Sequence, residues 1–503
     1  MNKYNKFSSS ILILIFFLLS CNPKVEDIKP VQSTSKSVFI TGSILNSGSE
    51  NKTVTVYVMD ILSGDQLNNV SLVDNDGNFQ IKFNLYYSQD VLVKYGDNFF
   101  PLIVHPEDSI NITFDANDIS EKDKFAKSVE IIGDAAELNT NLLAFEHIIS
   151  KTNIPHGQYQ QYEQKLKPED FVAVLDSLRI VQKDVASKFI EKHSISKELE
   201  KWIRNEIEMN YVNRLALYAY NRVKMTNLDN NALDQLSSYE FMNIQFTKEM
   251  LNNSKSAYFI GKYRITRIRA FSKKFSTESL IGYLWDRKGN TYFGSSTEQE
   301  IGVITDITKD KFLEELLVAR SLFSCLERRE IDEFEKHYLL FSKIVAKPFL
   351  KEPIINKYIK TKRNFENPEK GENSLLISAK DTPANELIKK IIEEHKGQIV
   401  YLDIWSTWCS PCRNEMPYSR KLFNELNSDK IDFAFLCTDS KENIWKALIS
   451  EMEIEGSHYL ATPAQSRFVY ELFEMSGVPH YILIDENGNV VENGNTLRPS
   501  LSS

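Results

Sequence analysis

Apolar and polar positions alternate through residues 38 to about 114. Val54-Thr55-Val56-Tyr57-Val58, Phe79-Gln80-Ile81-Lys82-Phe83, Val91-Leu92-Val93-Lys94-Tyr95 and Ile110-Asn111-Ile112-Thr113-Phe114 all repeat with a period of two. That period puts one face of a strand in a core and the other in water. Asp74-Asn75-Asp76-Gly77-Asn78 has the composition of a hairpin turn. Short strands with turn signals between them predict a small antiparallel β-sandwich over 38–130. From about Ala135 to Lys362 the period lengthens to that of helices, and prolines and glycines thin out. Residues 171–190, 199–220 and 312–325 carry it most clearly, so 131–363 reads as an all-α helical domain. Pro368, Lys370, Gly371 and Glu372 mark 364–374 as a linker.

The remaining stretch, 375–503, mixes the two periods. Helical patterns at 386–395, 413–426, 441–452 and 468–473 interleave with strand patterns at 399–405 and 431–437. After Gly477-Val478-Pro479, a hairpin of 481–485 and 489–491 closes around Glu486-Asn487-Gly488. This order is that of the α/β thioredoxin fold, the third part of a multidomain chain.

The N-terminus bears on the compartment. Lys3 and Lys6 precede the apolar stretch Ile11 to Leu19, which is too short to span a bilayer and has the size of a signal-peptide core. It ends in Leu18-Leu19-Ser20-Cys21, which resembles a bacterial lipobox, with Cys21 as the lipid-modified first residue. An ordinary cleavage site nearby or an uncleaved anchor are the other readings, and all three put the bulk of the chain outside the cytoplasm. Residues 1–21 are then the signal, and 22–37, polar with Pro23 and Pro30, a tether. The expected location is extracytoplasmic, lipid-anchored to a bacterial membrane and facing the periplasm. A net charge of −9 leaves no basic surface for nucleic acid.

Five cysteines make the spacing of two of them informative. Cys409 and Cys412, in Trp408-Cys409-Ser410-Pro411-Cys412, stand where an apolar strand gives way to a helix. A thiol there meets backbone N–H groups and the positive end of the helix dipole, which favour the thiolate that attacks disulfides. The competing readings are a zinc half-site and a structural disulfide; zinc needs a second Cys/His pair at ligand spacing, and the sequence offers none. No metal or cofactor is expected. Cys437, in Phe433-Ala434-Phe435-Leu436-Cys437, and Cys325, on a helical stretch, read as packed free thiols. Peroxidase chemistry fits poorly, because a Thr-x-x-Cys pattern would place threonine where Ser406 stands.

Asp403, Trp405, Trp408, Cys409, Cys412, Glu415-Met416-Pro417 and Val478-Pro479 ahead of an Asp/Gly hairpin together resemble the TlpA/ResA-like thiol–disulfide oxidoreductases of the thioredoxin superfamily. The order of signal, β-rich part, helical part and redox part is similar to multidomain TlpA-like lipoproteins of Bacteroidetes-type bacteria. The resemblance implies Cys409 as nucleophile, Cys412 as resolving thiol and Asp403 as a buried base for the Cys412 proton. It also implies a cis peptide before Pro479, with Val478 offering backbone groups to substrate. Trp408 is expected to shield the disulfide and border the docking surface, or else to pack in the core; Trp405 is expected to pack, and Pro417 to kink its helix. The implied partners are disulfide-containing exported proteins, an upstream thiol reductant at the membrane, and the membrane itself through the lipid.

Two departures from the family stand out. The sequence shows no helical pattern after the last hairpin, which leaves one sheet face uncovered unless the helical domain or a partner covers it, and His480 follows the proline, expected as a substrate-facing or structural residue. CxxC couples span about −270 to −120 mV. Neither Ser410 nor Pro411 is cationic, and Pro411 removes an N–H donor, so a reducing potential is expected. The alternative of another class is a lipoprotein binding or assembly module with an accessory redox domain.

Overall fold

A computed structural model describes residues 28–47, 53–225, 246–272, 297–367, 374–426 and 430–501. Cys21 and the apolar stretch before it lie outside the described residues. Among the described residues no helix is long and apolar enough to cross a membrane.

Among the described residues eight strands come first: β1 (Lys36–Leu45), β2 (Thr53–Met59), β3 (Gln66–Leu72), β4 (Asn78–Leu85), β5 (Gln89–Tyr95), β6 (Asn98–Val104), β7 (Ser109–Asp115) and β8 (Glu130–Gly133). They form two four-stranded sheets, ordered β4-β1-β7-β8 and β3-β2-β5-β6. One core cluster draws Val38, Ile81 and Ile112 from the first sheet and Val56, Val93 and Leu102 from the second. Three expectations need correction. The arrangement is not wholly antiparallel, because β1 runs parallel to β7 with Ile40 beside Ile110. The Asp74–Asn78 turn forms, with the Asp74 N–H donating to the Asn78 carbonyl at 2.9 Å, but it joins strands of different sheets. β4 takes β1 as its ladder partner instead, which aligns their alternating apolar residues, Ile40 beside Ile81. Strand β8 also crosses the 130/131 position at which the strand-rich zone was expected to end.

Among the described residues ten α-helices follow or interleave: α1 (Lys122–Ser128), α2 (Ala136–Ser150), α3 (His156–Lys165), α4 (Pro168–Lys192), α5 (Lys197–Met225), α6 (Lys255–Ser272), α7 (Thr297–Ile307), α8 (Lys311–Glu327), α9 (Ile331–Ile344) and α10 (Pro348–Glu366). Helix α8 is buried nearly all round, with Leu316, Val318, Leu322 and Cys325 all inaccessible. Ile61 and Leu62, from the loop between β2 and β3, are buried in the same cluster as these residues, so the strand-rich part inserts a loop into the helical core. The stretch expected as a free tether is docked from residue 28. The Asn356 amide exchanges hydrogen bonds with both backbone groups of Val31, and Glu352 accepts from the N–H and hydroxyl of Thr34.

The C-terminal part contains β9 (Ser374–Ser378), α11 (Leu387–Glu394), β10 (Ile399–Trp405), α12 (Ser410–Leu426), β11 (Ile431–Cys437), α13 (Glu442–Met452), β12 (Gly456–Leu460), α14 (Pro463–Leu472), β13 (His480–Ile484) and β14 (Val490–Asn493). Its sheet runs β14-β13-β10-β11-β12-β9, with β10 parallel to β11 and antiparallel to β13. The central strand β10 is buried over six of its seven residues, as a strand covered on both faces must be. Leu402, Ile404, Leu387, Ile391 and Val469 build one core layer, and Tyr401, Trp405, Met416, Phe423, Trp445 and Leu448 the other. No helix follows β14 among the described residues. The face is nevertheless covered: 3₁₀ turns at Asn495–Leu497 and Pro499–Leu501 lie there, Leu497 packs into the second layer, and its carbonyl accepts from the Tyr401 hydroxyl at 2.7 Å.

Candidate active site

Strand β10 ends at Trp405, and its parallel register with β11 sets Trp405 beside Cys437. The loop beyond is held from both sides. Thr438 N–H donates to the Trp405 carbonyl at 2.8 Å, Ser406 Oγ lies 3.0 Å from Thr438 Oγ1, and Thr407 N–H donates to Ser440 Oγ at 3.0 Å. Cys409 N–H then closes onto the Ser406 carbonyl at 3.1 Å, which delivers the chain into α12 one residue later. Ligand and reaction sites of open α/β sheets lie at these C-terminal strand ends.

Cys409 and Cys412 are joined by a disulfide across the first turn of α12, with their Cα atoms 5.3 Å apart. Cys412 N–H points at Cys409 Sγ from 3.1 Å, and the Val478 carbonyl oxygen lies 3.6 Å from the same sulfur. The Val478–Pro479 peptide bond is cis. Cys409 is 3% exposed and Cys412 1%. Beside them Trp408 is 44% exposed, its indole N–H donating to the Asp439 carbonyl at 3.1 Å, so it belongs to the surface and not to the core. Trp405 is fully buried. His480 is hydrogen-bonded to Asn493 on the neighbouring strand.

Asp403 points into the layer beneath the redox helix and is 1% exposed. Ser419, on α12, donates to its Oδ2 at 3.4 Å, and Oδ1 has no hydrogen-bond partner among the described residues. Burial pushes this carboxyl up to about 8; the Ser419 hydroxyl opposes the rise and the charge of Glu415 adds to it. A carboxyl that titrates this close to neutrality can return a proton from its protonated form and take one through its ionised fraction, which grows as pH rises towards 8. Burial likewise pushes the Cys325 and Cys437 thiols up to about 12, which leaves both unreactive at neutral pH.

Two charged residues that sequence reasoning left without a role join the site. Glu415, three residues after Cys412, accepts from Ser500 N–H at 3.1 Å and Ser500 Oγ at 3.0 Å, so the C-terminal turns are fastened to the redox helix. Arg413, immediately after Cys412, donates to the Thr407 carbonyl at 2.8 Å and to Glu327 of α8 at 3.2 Å. Position next to the CxxC pair was the only signal for Arg413. For its acidic partner, 86 residues upstream, there was none.

A helix-opening disulfide at the end of a central parallel strand defines a thioredoxin-type dithiol site. A family model described as thioredoxin-like matches residues 397–490. The thiol-disulfide oxidoreductase ResA of Bacillus cereus is 29% identical over 105 residues, 21% of this chain and 59% of that protein. ResA of Bacillus subtilis is 26% identical over 101 residues, 20% of this chain and 55% of that one. The chain thus spans somewhat over half the length of these curated relatives. Among solved structures, the thioredoxin domain of a thiol-disulfide oxidoreductase from Bacteroides vulgatus is 29% identical, covering 22% of this chain and 79% of that one with a TM-score of 0.21. A thiol:disulfide interchange protein from Bacteroides sp. is 30% identical, with 22% and 75% covered and a TM-score of 0.21. The C-terminal domain therefore belongs to the thioredoxin superfamily and is of its TlpA/ResA-like kind.

Proposed function

We propose that this chain is an extracytoplasmic, lipid-anchored thiol–disulfide oxidoreductase that reduces disulfides of exported proteins. The observation that carries the reading is the Cys409–Cys412 disulfide across the first turn of α12, above a buried carboxyl of raised pKa. In the reduced enzyme the Cys409 thiolate attacks a substrate disulfide, forming a mixed disulfide and expelling one substrate thiolate. The ionised fraction of Asp403, which grows as pH rises towards 8, takes the Cys412 proton directly or through water, and the Cys412 thiolate attacks Cys409 Sγ. The second substrate thiolate leaves, the enzyme keeps the disulfide, and two electrons have moved to the substrate. A membrane-side dithiol reductant must then restore the pair.

Val478 and Trp408 are assigned to substrate docking, the first through its carbonyl beside Cys409 and the second through its exposed ring. Residues 38 to 133 are assigned as a β-sandwich domain and 136–363 as a helical domain, with the N-terminal lipid on Cys21. The named activity of the ResA relatives supports the reaction class, and the non-cationic Ser410-Pro411 pair supports the reducing direction. Insulin reduction driven by dithiothreitol tests the reaction. Substituting either Cys409→Ser or Cys412→Ser is expected to lower turnover at least about 100-fold, and turnover that survives both changes contradicts it.

A further inference from the structure

Glu327 ends α8, well outside the redox domain in sequence, yet it lies at a hub of charges next to the redox loop. Its carboxylate faces Arg413 of α12 at 3.2 Å, pairs with Lys357 of α10, and lies near Arg329 of the turn that follows α8. Asp65, from the loop between β2 and β3, faces the same hub; burial raises its carboxyl, the charge of Glu327 adds to that and the charge of Arg413 opposes it. A second ion pair, Arg329 to Glu451 of α13 at 2.6 Å, ties the same two domains without involving Arg413. Three parts of the chain thus meet beside one guanidinium.

That guanidinium is fixed at both ends. One arm returns to the Thr407 carbonyl and closes a ring around residues 407–413, which hold both cysteines; the other reaches Glu327. A cation hydrogen-bonded to the carbonyl two residues before a helix-opening thiol favours its thiolate, and stabilising the reduced form makes a CxxC couple more oxidising. A carboxylate bound to the cation cancels much of that field.

We propose that Glu327, a residue of the helical domain, sets the redox poise of the Cys409/Cys412 couple by neutralising Arg413. Glu327 is a positioning and charge-balancing residue and does not touch the reacting sulfurs. With it docked the couple stays reducing; with its charge removed, Arg413 acts on Cys409 unopposed and the couple becomes more oxidising. The helical domain then serves as part of the redox machinery. The inference rests on the thiol–disulfide reading of the same site.

Glutathione titration of the full chain, with the Cys409 pKa read from the pH dependence of alkylation, tests it. Glu327→Gln should shift the glutathione equilibrium roughly fivefold towards the reduced enzyme and lower the Cys409 pKa. Glu327→Asp should return both towards the parent values. Lys357→Gln, which leaves Glu327 less compensated, should shift both in the opposite direction and serves as the readout if Glu327→Gln does not fold. Glu451→Gln loosens the same seam without breaking the Arg413–Glu327 pair and should shift both far less than Glu327→Gln does. Parent values in Glu327→Gln or Lys357→Gln overturn the proposal, as does a shift in Glu451→Gln as large as that in Glu327→Gln. A parent chain that does not equilibrate with glutathione at all fails the oxidoreductase reading itself, so the two failures are distinguishable.

Discussion

Asp403 concentrates the physical tension of the redox domain in one side chain. Its carboxyl is raised from 3.8 to about 8, so between those values the folded protein holds a proton that the unfolded chain has released. Stability must therefore fall as pH rises through that window, the reverse of a salt-bridged aspartate. Asp403→Asn removes this cost: at pH 7 it should raise stability by up to about 4 kcal/mol, with the gain vanishing near pH 4, as thermal unfolding across pH would show. The same substitution should slow resolution of the mixed disulfide about 10- to 100-fold and flatten its rise with pH near 8, measurable by stopped-flow fluorescence. A variant that is no more stable and resolves as fast as the parent would remove Asp403 from the mechanism.

At the scale of elements, helix ends and domain ties carry the testable content. Asp310 caps α8, its Oδ1 accepting from Leu313 N–H at 2.8 Å, and α8 presents Glu327 at its other end. Asp310→Ala should cost about 1 kcal/mol by chemical denaturation. His105, after β6, bonds Asp108 at 3.0 Å and Glu198 of α5 at 2.7 Å. Its pKa is pushed up to about 9, chiefly by the Asp108 hydrogen bond, with burial opposing and Glu198 adding. A raised histidine stabilises fully below its unfolded value of 6.5 and loses that contribution as pH climbs through about 9. His105→Gln should abolish this alkaline loss in thermal melts between pH 6.5 and 9.

Elements with a strong period were legible: 399–405 and 431–437 appear as β10 and β11 residue for residue, because continuous apolar runs are what a strand covered on both faces requires. β12 was not, since its five residues include Ser457 and a fully buried His458 whose Nε2 lies 3.1 Å from the Ile454 carbonyl, a contact hydropathy cannot foresee. Local pattern likewise found the Asp74–Asn78 turn but not its sheet change, because strand partnership is set by long-range packing. The cysteines could be located from their spacing and Asp403 from the family resemblance, whereas Glu327 reaches the site only through tertiary docking.

Across the whole molecule, contacts between distant parts of the chain order segments that composition alone marks as polar and loose. Residues 28–35 have no regular secondary structure, yet Glu352 accepts from Thr34 N–H at 2.6 Å, Thr34 Oγ1 at 2.8 Å and the Tyr86 hydroxyl at 3.0 Å. Glu352→Ala should cost about 2 to 3 kcal/mol and expose residues 28–35 to limited proteolysis, read by mass spectrometry. The same logic fastens the C-terminal turns to Glu415 and the helical domain to Arg413, so the redox helix is braced from two directions. The central claim is that Cys409 attacks and Cys412 resolves, and trapping tests it most directly. A reduced Cys412→Ser chain mixed with a disulfide-linked peptide should accumulate a mixed disulfide at Cys409, resolved by intact mass and peptide mapping. The same treatment of Cys409→Ser should yield almost none, because the Val478 carbonyl assigned to substrate docking lies beside Cys409 Sγ. Equal trapping at Cys412, or none at Cys409, would contradict the account.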